Sequence, residues 1–301
     1  MSEATKAKEM DMLNGKLAGK LILFAIPLAF SSILQQLFNS ADVAVVGRFA
    51  GSNALAAVGS CVALVGIFVN LIVGLAVGPN AALANLIGQN KREKISGMLH
   101  TILTFGAVLG IVLMGVGMLT ARTVLEASGT PESVMADALL YIRIYFLGIP
   151  ALALYNFGNG VLSAVGDTKR PLIYLSISGI INIVLNLFFV IVCRLGVIGV
   201  AIASIIAQYI SAALIIRFLM KTYGSYGLRM KDIAIDRDAA AAVLRIGVPA
   251  AIQYSLFAIA NICIQTSINS FSHVVVEGNS AATNADSLIY DMMAAFYTAC
   301  T

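Results

Sequence analysis

Asp42 is the one acidic residue between Leu21 and Gly47, in a run otherwise long and apolar enough to cross a membrane. A carboxylate in hydrocarbon costs roughly 2.5–3.5 kcal/mol on insertion scales, so such a group ordinarily faces a cavity where its charge or its proton is used. The chemistry open to it is capture of a proton or a small cation. Asn39 lies three positions before it, Gln35 seven, Ser32 ten and Ser31 eleven, so at 3.6 residues per turn these polar groups share its face. The opposite face reads Leu, Phe, Ile and Val. A second reading of Asp42 places it at the outer helix end, wetted by headgroups beside Arg48.

Other apolar stretches carry polar stripes of the same kind. Tyr174, Ser178, Asn182 and Asn186 follow one another at intervals of four; Ser204, Gln208 and Ser211 share a face, and so do Gln253, Asn261 and Gln265. Tyr141 and Tyr145 fall near an outer helix end, with Asn156 and Asn159 deeper. Any one of these is accounted for by interhelical hydrogen bonding, worth about 0.6 kcal/mol on average. Several stripes together with a carboxylate predict a water-filled cavity within a helix bundle.

The elements that must position these residues are membrane spans. Hydrophobic residues make up 59% of the 301 and charged residues only 11%, where a soluble domain carries about 25% charge. Apolar segments of spanning length fall at 21–47, 54–88, 98–121, 138–162, 171–193, 196–219 and 242–270, and an eighth begins near Ala281. Barrel strands need only about ten alternating residues, so segments this long predict an all-α integral membrane protein. The first segment far exceeds the apolar core of a signal peptide and lacks a small-residue cleavage site, so it is expected to stay in place.

Lysine and arginine set the orientation. With the N-terminus in the cytoplasm, 15 of the 19 basic residues fall inside, against Arg48, Arg122 and Arg194 outside and Arg143 near an outer helix end. The expected location is a bacterial-type plasma (inner) membrane, and the net charge of +4 reports topology and gives no sign of nucleic-acid binding. The four cysteines stand singly, and the two histidines, His100 and His273, are far apart, so no metal site, nucleophile–base pair or catalytic residue set is expected. No phosphate-cradling G-x-x-x-x-G-K-[ST] loop occurs, which leaves an ion gradient to drive any uphill movement.

The chain also carries a repeat. Leu23-Phe24-Ala25-Ile26-Pro27 is echoed by Arg245-Ile246-Gly247-Val248-Pro249, and each proline is followed twelve residues later by an asparagine, Asn39 and Asn261. Six spans separate the copies, which predicts parallel repeats about an axis along the membrane normal. The expected division is a cytoplasmic segment at 1–20, a six-helix lobe at 21–219, a basic interlobe linker at 220–241 and the start of a second lobe at 242–301, read as a truncated copy. Pro27 and Pro249 each remove one backbone hydrogen bond inside a span and permit a kink. Gly74/Gly78 and Gly106/Gly110 are spaced as helix-packing contacts.

At these residues the chain resembles the MATE family (multidrug and toxic compound extrusion transporters). The strongest portion runs from Gly148-Ile149-Pro150 to Val165-Gly166-Asp167-Thr168-Lys169-Arg170-Pro171, similar to the family's stretch ending in a G-D-T-x-x-P loop. Asp42-Val43-Ala44-Val45-Val46-Gly47 and Leu195-Gly196-Val197-Ile198-Gly199 match as well. The resemblance implies two six-helix lobes, a central cleft, a full-length monomer, no cofactor, and efflux of organic cations or other amphipathic compounds against H⁺ or Na⁺. It also implies a cation site in the first lobe at Asp42, Tyr141, Asn182 and Ser204. Two departures stand out. Asn186 occupies a position where many members carry a second aspartate, and nothing acidic lies between Arg245 and His273, where the NorM-type branch has a glutamate. Asp42 is then the sole acidic member of the cluster, and H⁺ is the favoured coupling ion. A lipid-linked precursor flippase of the same superfamily is an alternative that would need basic residues in the cleft, of which only Arg143 comes near; a non-transporting fragment is the other.

Overall fold

The computed structural model describes residues 17–222, 226–232, 234–268, 271 and 273–300. Nine α-helices follow among them: α1 Leu17–Val45, α2 Ser52–Gly88, α3 Arg92–Ala127, α4 Glu132–Phe146, α5 Ile149–Ala164, α6 Lys169–Leu187, α7 Gly196–Lys221, α8 Arg237–Ile268 and α9 His273–Cys300. No strand occurs among the described residues. Among the described residues six helices are long and apolar enough to cross a membrane, and α4 with α5 makes a seventh if taken as one bent span. The helices overrun the apolar windows: α2 starts at Ser52, α8 at Arg237, and α9 at His273 instead of near Ala281. Backbone hydrogen bonding continues into polar flanks beyond the hydrocarbon, which composition windows do not see. The connection between α7 and α8 is correspondingly shorter than expected, at residues 222–236.

The apolar run at 138–162 was expected as a single helix and is broken. The axis turns by 44° between Phe146 and Ile149. Pro150 has no N–H to give the Phe146 carbonyl, so α4 cannot continue. Its last turn tightens instead, with Leu147 N–H donating to Ile144 O at 3.0 Å and Gly148 N–H to Tyr145 O at 2.9 Å. From α7, the Tyr209 hydroxyl donates to the Leu147 carbonyl at 3.0 Å, and the Gln208 amide fills the place where a side chain at Gly148 would stand. α5 ends in a Schellman turn: Gly166 takes a φ of +89°, its N–H donates to Ser163 O and that of Asp167 to Leu162 O, both at 2.9 Å.

Pro27 and Pro249 lie inside α1 and α8, and Pro79, passed over in the sequence, lies inside α2. α1 and α6 both change to π-helical turns at their C-terminal ends, at Val46–Ala50 and Phe188–Val192. Within the bundle α1 lies along α6, α6 along α7, and α5 is enclosed by α2, α3 and α7. Two apolar clusters fill it. One gathers Val46, Phe68, Ile142 and Phe146; the other, toward the α7–α8 connection, gathers Leu83, Ile102, Phe157 and Ile215.

Lipid is as apolar as leucine, so helices in a bilayer hold together by close packing. Glycines supply it here. Gly106 meets Phe157 and Gly110 meets Pro150, both on α5. A backbone-to-backbone seam joins α2 to α8: a Cβ on Gly74 would stand 2.5 Å from Ala251 Cα, one on Gly247 would stand 2.7 Å from Leu75 O, and one on Gly78 would strike the Val243 carbonyl. α8 therefore packs chiefly on α2, α9 packs on α1, and α8 and α9 meet only briefly. The connection before α8 is fastened to α3. Arg229 N–H donates to His100 Nε2 at 3.0 Å, His100 Nδ1 lies 2.7 Å from Ser96 O, and Asp236 N–H donates to Thr101 Oγ1 at 3.0 Å.

Candidate functional site

A cavity of about 600 Å³ opens between α1, α2, α4, α5, α6 and α7. α1 presents one face to it, carrying Gln35, Phe38, Asn39 and Asp42. The wall on α2 is apolar, with Val58, Val62, Val65 and Val69. The break in the fourth span supplies two sets of groups, Tyr141 and Tyr145 from α4 and Leu152, Tyr155 and Asn156 from α5. α6 contributes Leu175, Ser178, Gly179 and Asn182; α7 contributes Ser204, Ala207, Gln208 and Ser211. Among the described residues the lining holds one carboxylate, Asp42, and no lysine or arginine.

Asp42 sits where α1 meets α6 and α7. Its Oδ1 accepts a hydrogen bond from Asn186 Nδ2, and its Oδ2 accepts one from Ser204 Oγ at 3.2 Å. Asn186 Nδ2 also donates to Asn182 Oδ1 at 3.3 Å, and Asn182 Nδ2 reaches Ser204 Oγ at 3.5 Å. Asp42, Asn182, Asn186 and Ser204 thus form a closed ring of side chains from three helices. The i, i+4 spacing of Asn182 and Asn186 on α6 places both amides on the face toward α1. Asn186 is fully buried, and its Oδ1 finds no hydrogen-bond partner among the described residues. A buried acceptor left open in this way costs roughly 1–3 kcal/mol unless another donor or a cation meets it.

The ring is built of hard oxygen acceptors and amide donors. A proton can be held by Asp42 with the amides as they stand. A Na⁺ ion would need the Asp42, Asn182, Asn186 and Ser204 oxygens turned toward it, with a single formal negative charge to balance it.

The remaining candidates divide. Gln35, Asn39, Ser178 and Gln208 line the cavity with Asp42. Tyr141 lines it too, with its ring 6.1 Å from that of Tyr145 in a stacked pair. Asn186 stands behind the lining, bonded to Asp42 and Asn182. Gln253 and Asn261 are not among the residues that line the cavity: both are exposed on α8, which packs on α2 and α3. Helical periodicity put them correctly on one face but could not say which neighbour that face meets. The side chain of Gln265 lies outside the described residues. Arg143 is exposed on α4 and brings no positive charge to the cavity.

Phe38, Gly179, Tyr155 and the α2 valines were not singled out in the sequence. Phe38 stands four residues before Asp42 and Gly179 three before Asn182, so the spacing was available. Apolar residues and glycines in a span carry no polarity signal, and nothing local marks which of them face a cavity.

The family described as MatE matches residues 27–188, more than half of the chain. A protein of Bacillus subtilis (strain 168) named probable multidrug resistance protein YpnP is 30% identical over 289 residues, covering 94% of this chain and 63% of that protein. A second from the same organism, probable multidrug resistance protein YoeA, is 29% identical over 258 residues, or 83% of this chain and 55% of its own length. The chain therefore spans about three fifths of the length of these relatives. Among solved structures, an outward-facing conformation of a multidrug resistance MATE family transporter of the MOP superfamily superposes with a TM-score of 0.89 at 24% identity, over 98% of this chain and 66% of that one. On the matched segment, the helical membrane fold and the relatives together, the chain belongs to the MatE family of membrane transporters.

Proposed function

We propose that this chain carries the first lobe, and the first two helices of the second, of a secondary antiporter. In this reading it exports organic cations or other amphipathic compounds in exchange for an inward-moving ion. The observation that carries it is the cavity itself: about 600 Å³, with valine and tyrosine walls, one carboxylate and no basic group in the lining. A cationic amphiphile finds apolar surface for its body and Asp42 for its charge. The names borne by YpnP and YoeA point the same way.

Asp42 serves both sides of the exchange. While ionised it draws in the cationic substrate; once it takes a proton that attraction is lost and the substrate leaves. Asn182, Asn186 and Ser204 hold the carboxylate in place, and Tyr141, Gln35, Asn39, Ser178 and Gln208 shape the wall. H⁺ is the favoured coupling ion because Asp42 alone would have to balance a Na⁺ ion, and the amide and hydroxyl oxygens of the ring would have to turn from their present hydrogen bonds to ligate one. The lobes divide at 21–219 and 242–301 around a cytoplasmic linker, in an inner membrane with the N-terminus inside. A flippase for pyrophosphate-linked lipids is disfavoured, since the lining offers no positive charge.

The test is reconstitution in liposomes with a fluorescent organic cation, under an imposed H⁺ gradient or an imposed Na⁺ gradient. Efflux driven by the H⁺ gradient alone is expected. Efflux that follows only Na⁺, or that accepts anionic and cationic dyes equally, overturns the assignment.

A further inference from the structure

α1 and α6 run side by side in a fixed register. Near the connection between α5 and α6, the buried Thr168 hydroxyl donates to the Phe24 carbonyl at 3.3 Å, a pair 144 positions apart in sequence. Near the outer end, Asn186 donates to Asp42, again 144 positions apart. Between these two ties Phe38 of α1 lies against Gly179 of α6, and a Cβ added to Gly179 would clash with the edge of the Phe38 ring at Cε2, Cζ and Cδ2. Both residues also line the cavity.

The position of Pro27 makes the middle contact consequential. It lies three residues beyond the Thr168 tie and eleven before Phe38, and its missing N–H leaves α1 one backbone bond short. The inner end of α1 is fastened by Thr168. The outer part, carrying Asp42, lies beyond the proline and depends for its place on its neighbours: α6 at Phe38 and at Asp42, α7 at Asp42, and α9, which packs on α1. Phe38 is one turn from Asp42, about 6 Å along the axis, so displacing its ring from α6 draws the carboxylate from Asn186 and Ser204.

We infer that Gly179 is the seat for the Phe38 ring, and that Asp42 is engaged with Asn186 and Ser204 only while the ring is seated. Gly179 and Phe38 are positioning residues that act through Asp42. The inference deepens the antiporter reading, and depends on it only for the consequence in transport.

Hydrogen exchange measured by mass spectrometry on this chain in detergent micelles provides the test, following peptides across residues 28–45. Gly179→Ala is expected to speed their exchange at least tenfold while peptides from α3 stay unchanged. Alanine is the better helix former, so fraying of α6 would not produce this result. In a Phe38→Ala background the same Gly179→Ala change is expected to shift exchange by less than twofold, because no ring is left to displace. Equal effects in both backgrounds, or no effect with Phe38 present, overturn the inference. Dye efflux measured in parallel separates the two claims: exchange that depends on Phe38 with efflux untouched upholds the seat and overturns the antiporter reading.

Discussion

Replacing Asp42 by asparagine separates what the carboxylate does for transport from what it does for the fold. The two oxygens accept one hydrogen bond each, from Asn186 and from Ser204. An asparagine of the same shape keeps its oxygen toward Asn186, and its amide can donate to Ser204 Oγ. Two bonds to a charged acceptor become two neutral ones, a loss of about 1 kcal/mol each and ~2 kcal/mol together. Against this, a charge is removed from a poorly solvated place, where the effective penalty amounts to several kcal/mol. The net expectation is a fold unchanged or more stable by about 1–3 kcal/mol, while ion-driven efflux falls at least ~10-fold, equivalent to about 1.4 kcal/mol. Thermal unfolding in detergent and dye efflux from liposomes under an H⁺ gradient measure the two. Efflux driven by the pH gradient at the parental rate refutes the role given to Asp42. Destabilisation by more than about 3 kcal/mol would instead make the ring a structural element, since it exceeds the ~2 kcal/mol assigned to the two weakened hydrogen bonds.

Further outcomes follow from other contacts. Ser204→Ala removes one donor from Asp42 and should weaken retention of the substrate cation less than Asp42→Asn does, by about 1–2 kcal/mol or roughly tenfold in apparent affinity; a dye titration reads it. Thr101→Val takes away the acceptor for Asp236 N–H, and trypsin should then cut the 222–236 connection about five- to tenfold faster, as befits a hydrogen bond worth ~1 kcal/mol. Cys193 is exposed beyond α6, whereas Cys61 is buried with its Sγ 3.4 Å from the Ala138 carbonyl. In a Cys263→Ser/Cys300→Ser background, an impermeant maleimide should label Cys193 in intact cells and leave Cys61 untouched. Labelling that requires permeabilised cells reverses the orientation.

The spans were legible because bilayer thickness demands long apolar runs, and polar stripes were legible because helical periodicity shows in sequence. Asn182, Asn186 and Ser204 could each be put on a helix face in this way. That the three close a ring on Asp42 depends on how α1, α6 and α7 pack, which periodicity does not encode. The stripe of Gln253 and Asn261 looked equivalent and faces elsewhere for that reason. The break at Leu147–Gly148 was readable in principle from Gly148 and Pro150, but hydropathy averages over it, so Tyr141 and Asn156 were placed on one straight helix. The Phe38–Gly179 contact left no polar trace at all.

The α2–α8 seam has a mechanical consequence. Where Gly74 and Gly78 meet Gly247 and Ala251, backbone touches backbone with almost no side chain between. Longer side chains could turn to follow a retreating partner and keep part of the contact; bare backbone cannot. Dispersion falls so steeply that a gap of about 0.5–1 Å already forfeits a quarter to a half of the attraction. Such a joint behaves like a snap fastener, closed or apart, with little to hold it half open. Any swing of α8 away from α2 should therefore be abrupt, and the populations of the two states, rather than a continuum of angles, would set how often the joint is found open.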